Sequence, residues 1–195
     1  MSGRGGASEN PAMETKLLKA IAFAARKHQG QMRKDGKTPY FSHPARVMSL
    51  VALEFGVTDI DTLCAAVLHD TIEDTATDRD DIEALCGRRV AKYVVYLTKD
   101  KRLPEERREH RYFRRLGKAP LEVKLCKLGD TLDNLLSTVE LPPEARKKTV
   151  SKAKELVKLF AKEIPKEYAH ALDRVREQIK AVEAGLPKGD AERPA

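Results

Sequence analysis

Apolar residues recur three and four positions apart along nearly the whole chain, the spacing of helices that each bury one face. Leu17, Ile21, Ala24 and His28 fall on one stripe of a first predicted helix, with Asn10 as its N-cap and Pro11 at its first position. Gly30 to Tyr40, carrying Gly36 and Pro39, interrupts the periodicity and predicts a loop or a small hairpin. Ser42 caps a second helix through Val47, Leu50 and Val51 that Gly56 ends, and Asp59 caps a third through Leu63 and Val67 to about Asp74. Thr77 with Asp80 opens a short fourth helix ending near Gly87. Val90 to Leu97 gives a fifth, and Pro104 to Leu116 a heavily charged sixth. Pro120 starts a seventh, with Leu121, Leu125, Leu128, Leu132 and Leu135 in register. Pro143 begins a C-terminal helical region, broken near Pro165 and resumed through Tyr168, Leu172, Val175, Ile179 and Val182. The only β-like run, Tyr93 to Tyr96, is short and sits inside a helical pattern. The prediction is an all-α, compact multi-helix bundle.

Composition narrows this picture. A chain of 195 residues that is 41% hydrophobic suits one domain with a core. Residues 10–186 are read as that domain, with a Gly/Ser-rich disordered tail at 1–9 and a flexible tail at 187–195. No apolar run approaches the ~18–20 residues of a membrane span, and the first residues lack the apolar segment of a secretory signal. Cys64, Cys86 and Cys126 are odd in number and widely spaced, which reads as a reducing, cytoplasmic setting. The net charge of +7 suits an anionic partner. Nucleic acid is disfavoured, because Arg107, Arg108, Arg111, Arg114 and Arg115 are interleaved with Glu105, Glu106 and Glu109. That pattern reads as a salt-bridged, exposed helix face. Association into a homo-oligomer is left open.

The densest chemistry lies in Leu68-His69-Asp70-Thr71-Ile72-Glu73-Asp74. A continuous helix would set His69 under Glu73, and Asp70 under both Glu73 and Asp74. Carboxylates crowded in this way repel one another, and burying them unpaired costs several kcal/mol each, which a cation would relieve. A mixed imidazole and carboxylate set suits a divalent ion such as manganese, iron or zinc. A short motif of this kind also fits a solvated acidic helix end, but Leu63, Cys64, Val67 and Leu68 make the preceding turns apolar. His43 stands at a helix start, between Tyr40-Phe41-Ser42 and the backbone-restricting Pro44; alone, it reads as a capping or core histidine. On the seventh helix Lys127, Asp130, Asn134 and Ser137 form a polar stripe beside the leucines. Taken together, His43, the His69-Asp70 pair and Asp130 make the ligand set of one compact metal site. His28 reads as a satisfied core histidine, Tyr40 and Phe41 as core residues, and His110 and His170 carry no assigned role.

The order His43 … His69-Asp70 … Asp130 resembles the HD-domain metal-dependent phosphohydrolases. Four longer blocks are similar to the hydrolase domain of RelA/SpoT homologues: Ala25 to Lys34, Pro39 to Pro44, Leu68 to Thr75 with Thr98-Lys99, and Lys127 to Asn134. With nothing like a synthetase region, the chain is similar to the small alarmone hydrolases, the group that includes the metazoan SpoT homologue. The resemblance implies an HD-domain bundle in which His43, His69, Asp70 and Asp130 hold one manganese ion (Mn2+). It implies that Glu73 and Asp74 position and activate the attacking water. Arg33 and Lys34 would meet the guanine base or the nucleotide end, and Asn134 and Ser137 the sugar–phosphate. The implied reaction is hydrolysis of the 3′-pyrophosphate of guanosine tetra- or pentaphosphate, (p)ppGpp, giving pyrophosphate and GDP or GTP. Lys127, Arg26 and, less directly, the arginines of the sixth helix would help balance that anionic substrate. The sequence departs from the family's pattern at Gly129, Thr131 and Asp133, where Ala, Arg or Lys, and His or Tyr are common. Two alternatives share the scaffold: an HD phosphohydrolase for another nucleotide, such as NADPH or a nucleoside phosphate, and a non-catalytic nucleotide-binding module.

Overall fold

The computed structural model describes residues 11–186, so the Asn10 cap and the tails at 1–9 and 187–195 lie outside the described residues. Ten α-helices appear among the described residues: α1 (Pro11–Lys27), α2 (Ser42–Ser49), α3 (Ile60–Leu68), α4 (Thr71–Asp74), α5 (Arg79–Cys86), α6 (Arg88–Leu97), α7 (Glu105–Gly117), α8 (Leu121–Leu136), α9 (Pro143–Phe160) and α10 (Ala169–Ala184). The architecture is all-α. The predicted hairpin shrinks to an isolated antiparallel bridge between Met32 and Pro39, closed by Arg33 N–H to Thr38 O and Tyr40 N–H to Gln31 O, both 2.8 Å.

α3 is the hub. Thr62 to Leu68 are all buried, because α1, α2, α6 and α8 pack around it. A helix covered on every side needs apolar residues all round, and Leu63-Cys64-Ala65-Ala66-Val67-Leu68 supplies them. Asp59 starts α3 as expected, its carboxylate accepting from Thr62 N–H at 3.0 Å. α9 and α10 close the other side of α8, with Phe160, Leu172, Val175 and Ile179 buried. The Pro165 break is therefore a turn between two packed helices.

Three boundaries differ from the sequence reading. Ser42 is the first helical residue and makes no cap; Phe41 occupies the cap position with helical backbone angles. The cap of α5 is Asp78 rather than Thr77, with Asp81 completing a reciprocal capping box. The third helix does not run to Asp74: it ends at Leu68, and α4 starts afresh at Thr71. The cause is local competition for carbonyls. His69 Nδ1–H donates to Ala66 O at 2.8 Å and Thr71 Oγ1–H to Leu68 O at 2.6 Å.

One glycine sets the distance between two of these helices. A Cβ on Gly129 of α8 would stand 2.7 Å from Val51 Cγ2 and 3.4 Å from Val47 O. Hydrogen at this position lets α8 lie against α2 and the π-helical turn Leu50–Glu54 that follows it. The next residue along α8 is Asp130, and the facing end of α2 carries His43.

Candidate metal centre

His43, His69 and Asp130 come from α2, from the turn between α3 and α4, and from α8. Their donor atoms all lie within 4.8 Å of one another, and all three side chains are buried. Both imidazoles have Nδ1 committed elsewhere. His69 Nδ1–H donates to Ala66 O, and His43 Nδ1–H donates to Asp133 Oδ2 at 2.7 Å. Nε2 is thus the free donor atom on each ring. His43 Nε2 lies 3.2 Å and His69 Nε2 3.8 Å from Asp130 Oδ1. Asp70 stands beside them, its Oδ2 3.0 Å from His69 Nε2 and 3.6 Å from His43 Nε2, and it accepts from Tyr40 Oη–H at 2.6 Å. The break between α3 and α4 is what lets His69 and Asp70 share this space.

Charge is concentrated here away from the solvent surface. Burial acts against a protonated His43, but hydrogen bonds to Asp130 and Asp133 and the charges of Asp130 and Asp70 outweigh it, raising the imidazole to about 9. His69 is raised as well, burial being overcome by the charges of Asp70 and Asp130. Burial likewise disfavours ionised Asp130, yet Lys127, His43 and His69 hold its carboxyl well below the usual range. The aspartates thus push both imidazoles toward the protonated form when no metal is bound. His69 Nε2 is buried without a hydrogen-bond partner. An orphaned imidazole nitrogen facing a second imidazole and a carboxylate is what a divalent cation with mixed nitrogen and oxygen ligands would satisfy.

The other residues singled out from sequence fall around this cluster. Glu73 Oε2 accepts the Lys99 backbone N–H at 2.8 Å, and burial raises its carboxyl above the ordinary range. Asp74 pairs with Lys101 Nζ at 2.5 Å, and Tyr40 Oη lies 3.4 Å from its other oxygen. Lys127 Nζ and Asn134 Nδ2 both donate to Asp130, at 2.5 and 2.6 Å. Ser137 stands one step beyond α8, on the short 3₁₀ turn Ser137–Glu140. A cavity of about 790 Å³ opens over Tyr40 and Asp130, and Arg33, Lys34, Lys127, Asn134 and Ser137 all line it.

Several sequence expectations change. Arg26 is exposed on α1 and lies off the cavity, as do Arg107, Arg108, Arg111, Arg114 and Arg115. The face of α7 toward the cavity carries Glu109, Tyr112 and Phe113 instead. Nor is α7 laced by its own salt bridges: Glu105 pairs with Lys148, and Glu109 with Lys99 and Lys152. Tyr40 is a polar partner of Asp70 rather than plain core, and His28 is buried with Nε2 unpartnered, so it is not fully satisfied. Its Nδ1–H is held by Gln31 Oε1 at 2.8 Å, and Gln31 Nε2–H reaches Asp74 O at 2.9 Å. Asp133, Arg46, Tyr112 and Lys152 were not picked out as site residues. Asp133 was legible as a carboxylate three positions after Asp130 on a leucine-rich helix; the others carry no local signal.

Comparison with known proteins bears on this geometry. The sequence matches the HD domain family over residues 20–162. Human guanosine-3′,5′-bis(diphosphate) 3′-pyrophosphohydrolase MESH1 is 43% identical over 129 residues, 66% of this chain and 72% of that protein. An Aquifex aeolicus guanosine-3′,5′-bis(diphosphate) 3′-pyrophosphohydrolase is 38% identical over 157 residues, 79% of this chain but 22% of that longer protein. A solved structure described as a metazoan orthologue of SpoT that hydrolyses ppGpp superposes with a TM-score of 0.78 at 29% identity, covering 95% of this chain and all of that one. A family match over most of the chain, joined to relatives of this identity and coverage, establishes that the protein belongs to the HD-domain family and is a homologue of the MESH1 proteins.

Proposed function

We propose that this protein is a divalent-metal-dependent (p)ppGpp 3′-pyrophosphohydrolase. One observation carries the reading: two imidazole Nε2 atoms and the Asp130 carboxylate face one small buried volume, with both Nδ1 atoms already committed. The activities named for the homologues support the substrate. His43, His69 and Asp130, with Asp70 as a fourth, would hold the ion, and manganese is our choice among ions suited to mixed donors. When bound, such an ion supplies a Lewis acid for phosphoryl oxygens and eases deprotonation of water.

The chain's own residues do the rest. The bond to be broken joins the ribose 3′ oxygen to the diphosphate; water adds to the phosphorus, and the proton it gives up is returned to the departing 3′ oxygen. Glu73 and Asp74 orient that water and take its proton, a contribution typically worth ~10²–10⁴-fold. The raised carboxyl of Glu73, anchored by Lys99 N–H, suits a base. Tyr40 Oη–H fixes Asp70 through Oδ2, the oxygen that faces the two imidazoles. Arg33 and Lys34 meet the nucleoside end, while Lys127, Asn134 and Ser137 line the cavity where the sugar and phosphates lie. Lys127 and Asn134 can exchange their bonds to Asp130 for bonds to the substrate.

The test is pyrophosphate release from ppGpp by purified protein with manganese, alongside NADPH and nucleoside phosphates. Turnover of ppGpp that His69→Ala and Asp70→Ala abolish supports the proposal. Equal turnover by these variants sinks it, and preference for another nucleotide moves the substrate while keeping the metal chemistry.

A further inference from the structure

Asp133 lies one turn beyond Asp130 on α8, and its side chain has no exposure to solvent. An ionised carboxylate in that position is costly unless it is fully paired. Here three groups from two other parts of the chain converge on it. His43 Nδ1–H donates to Oδ2 at 2.7 Å, Arg46 Nε–H donates to Oδ1, and the Arg33 guanidinium lies 3.7 Å from Oδ2. Arg46 belongs to α2, and Arg33 to the loop that lines the cavity.

The two imidazoles of the centre are held differently. His69 leans on a neutral carbonyl, Ala66 O, and its position follows from the local turn. His43 leans on a carboxylate 90 residues away. An imidazole with its Nδ1–H on a carboxylate is locked in the tautomer that leaves Nε2 as the donor atom, and its lone pair is a better ligand. The same contact fixes the plane of the ring, and so the direction in which Nε2 points.

We infer that Asp133 is a positioning residue for the metal centre: it holds His43 with Nε2 toward Asp130, and its ion pair with Arg46 limits how strongly it does so. The inference rests on the metal-site reading above. Arg33, the loosest of the three partners at 3.7 Å, is the one free to turn toward a bound nucleotide without unseating His43.

The experiment is a manganese titration of the metal-free protein, without substrate, with free Mn2+ followed by electron paramagnetic resonance. Asp133→Asn is expected to weaken binding by ~10–100-fold, the usual effect of losing a ligand's outer partner. Arg46→Gln, at a half-exposed side chain that leaves the core intact, is expected to tighten it by a few-fold, since the carboxylate is then shared less. Circular dichroism checks that each variant is folded; if Asp133→Asn is not, the Arg46→Gln titration decides alone. Binding by both folded variants equal to the parent overturns the inference and leaves the metal site standing. No binding by the parent protein would overturn the metal reading itself.

Discussion

The candidate metal cluster and the outer face of α7 are both rich in charge, and they handle it in opposite ways. His43, His69, Asp130 and Asp133 are all buried, and each of the two carboxylates is met by an imidazole or a guanidinium from another element. On α7, Arg107, Arg111 and Arg114 recur four and three apart, all exposed, and among the described residues none has a carboxylate within ion-pair distance. Two of the acids of α7 pair with lysines elsewhere, Glu105 with Lys148 and, on the cavity side, Glu109 with Lys99 and Lys152. An exposed pair such as Glu105–Lys148 contributes ~0–1 kcal/mol, whereas an unpaired charge in the buried cluster costs several. The number of charges in a segment therefore says little about chemistry. What matters is whether side chains from several elements converge where water is scarce.

The comparison can be broken or sharpened by mutation, and the largest effect is expected inside the cluster. Glu73→Gln should lower kcat for ppGpp by ~10²–10⁴-fold while leaving manganese binding near the parent value. Loss of metal together with activity would instead make Glu73 part of the ligand set. Next comes the packing that brings the cluster together. Gly129→Val forces side-chain atoms into Val51 and Val47, and should cost ~1–3 kcal/mol and several degrees in the thermal midpoint. A parent-like midpoint would mean that α2 and α8 can separate freely.

A smaller effect distinguishes the regions by pH. In the metal-free protein His43 is raised from 6.5 to about 9; burial opposes the shift, but bonds to Asp130 and Asp133 prevail. The folded state then binds the proton more tightly than the unfolded chain, so this stabilisation is complete below pH 6.5 and is lost as pH rises toward 9. Thermal midpoints of chelator-treated protein should fall across that window, and manganese should flatten the decline by replacing the proton. A flat profile without metal would mean that the aspartates do not hold a protonated His43. The smallest effect is expected on α7. Joint reversal of Arg107, Arg111 and Arg114 to Glu should leave kcat/KM for ppGpp within about two-fold, and each change should alter stability by about 0.5 kcal/mol or less. A large loss of activity would bring that face into the substrate's reach and erase the distinction.

Helices, their order and the all-α class were legible in the sequence because periodicity, Asp59 capping and glycine stops act over a few residues. The family was legible too, since its motifs are contiguous blocks. Where the local reading failed, a local rival was responsible, as at His69 and Thr71, whose side chains take the carbonyls a continuous helix would use. The distances were not legible. That His43 Nε2 and Asp130 Oδ1 come within 3.2 Å depends on how closely α2 and α8 pack at Gly129. That Asp133, 90 residues from His43, bonds to its ring is likewise a product of packing. Nor could spacing show that α7 turns Tyr112 and Phe113 to the cavity and its arginines away. Sequence alone singled out the candidate residues for the chemistry. Tertiary structure decided which of them meet, because convergence of distant side chains is set by interhelical contact and not by any property of the segments that bear them.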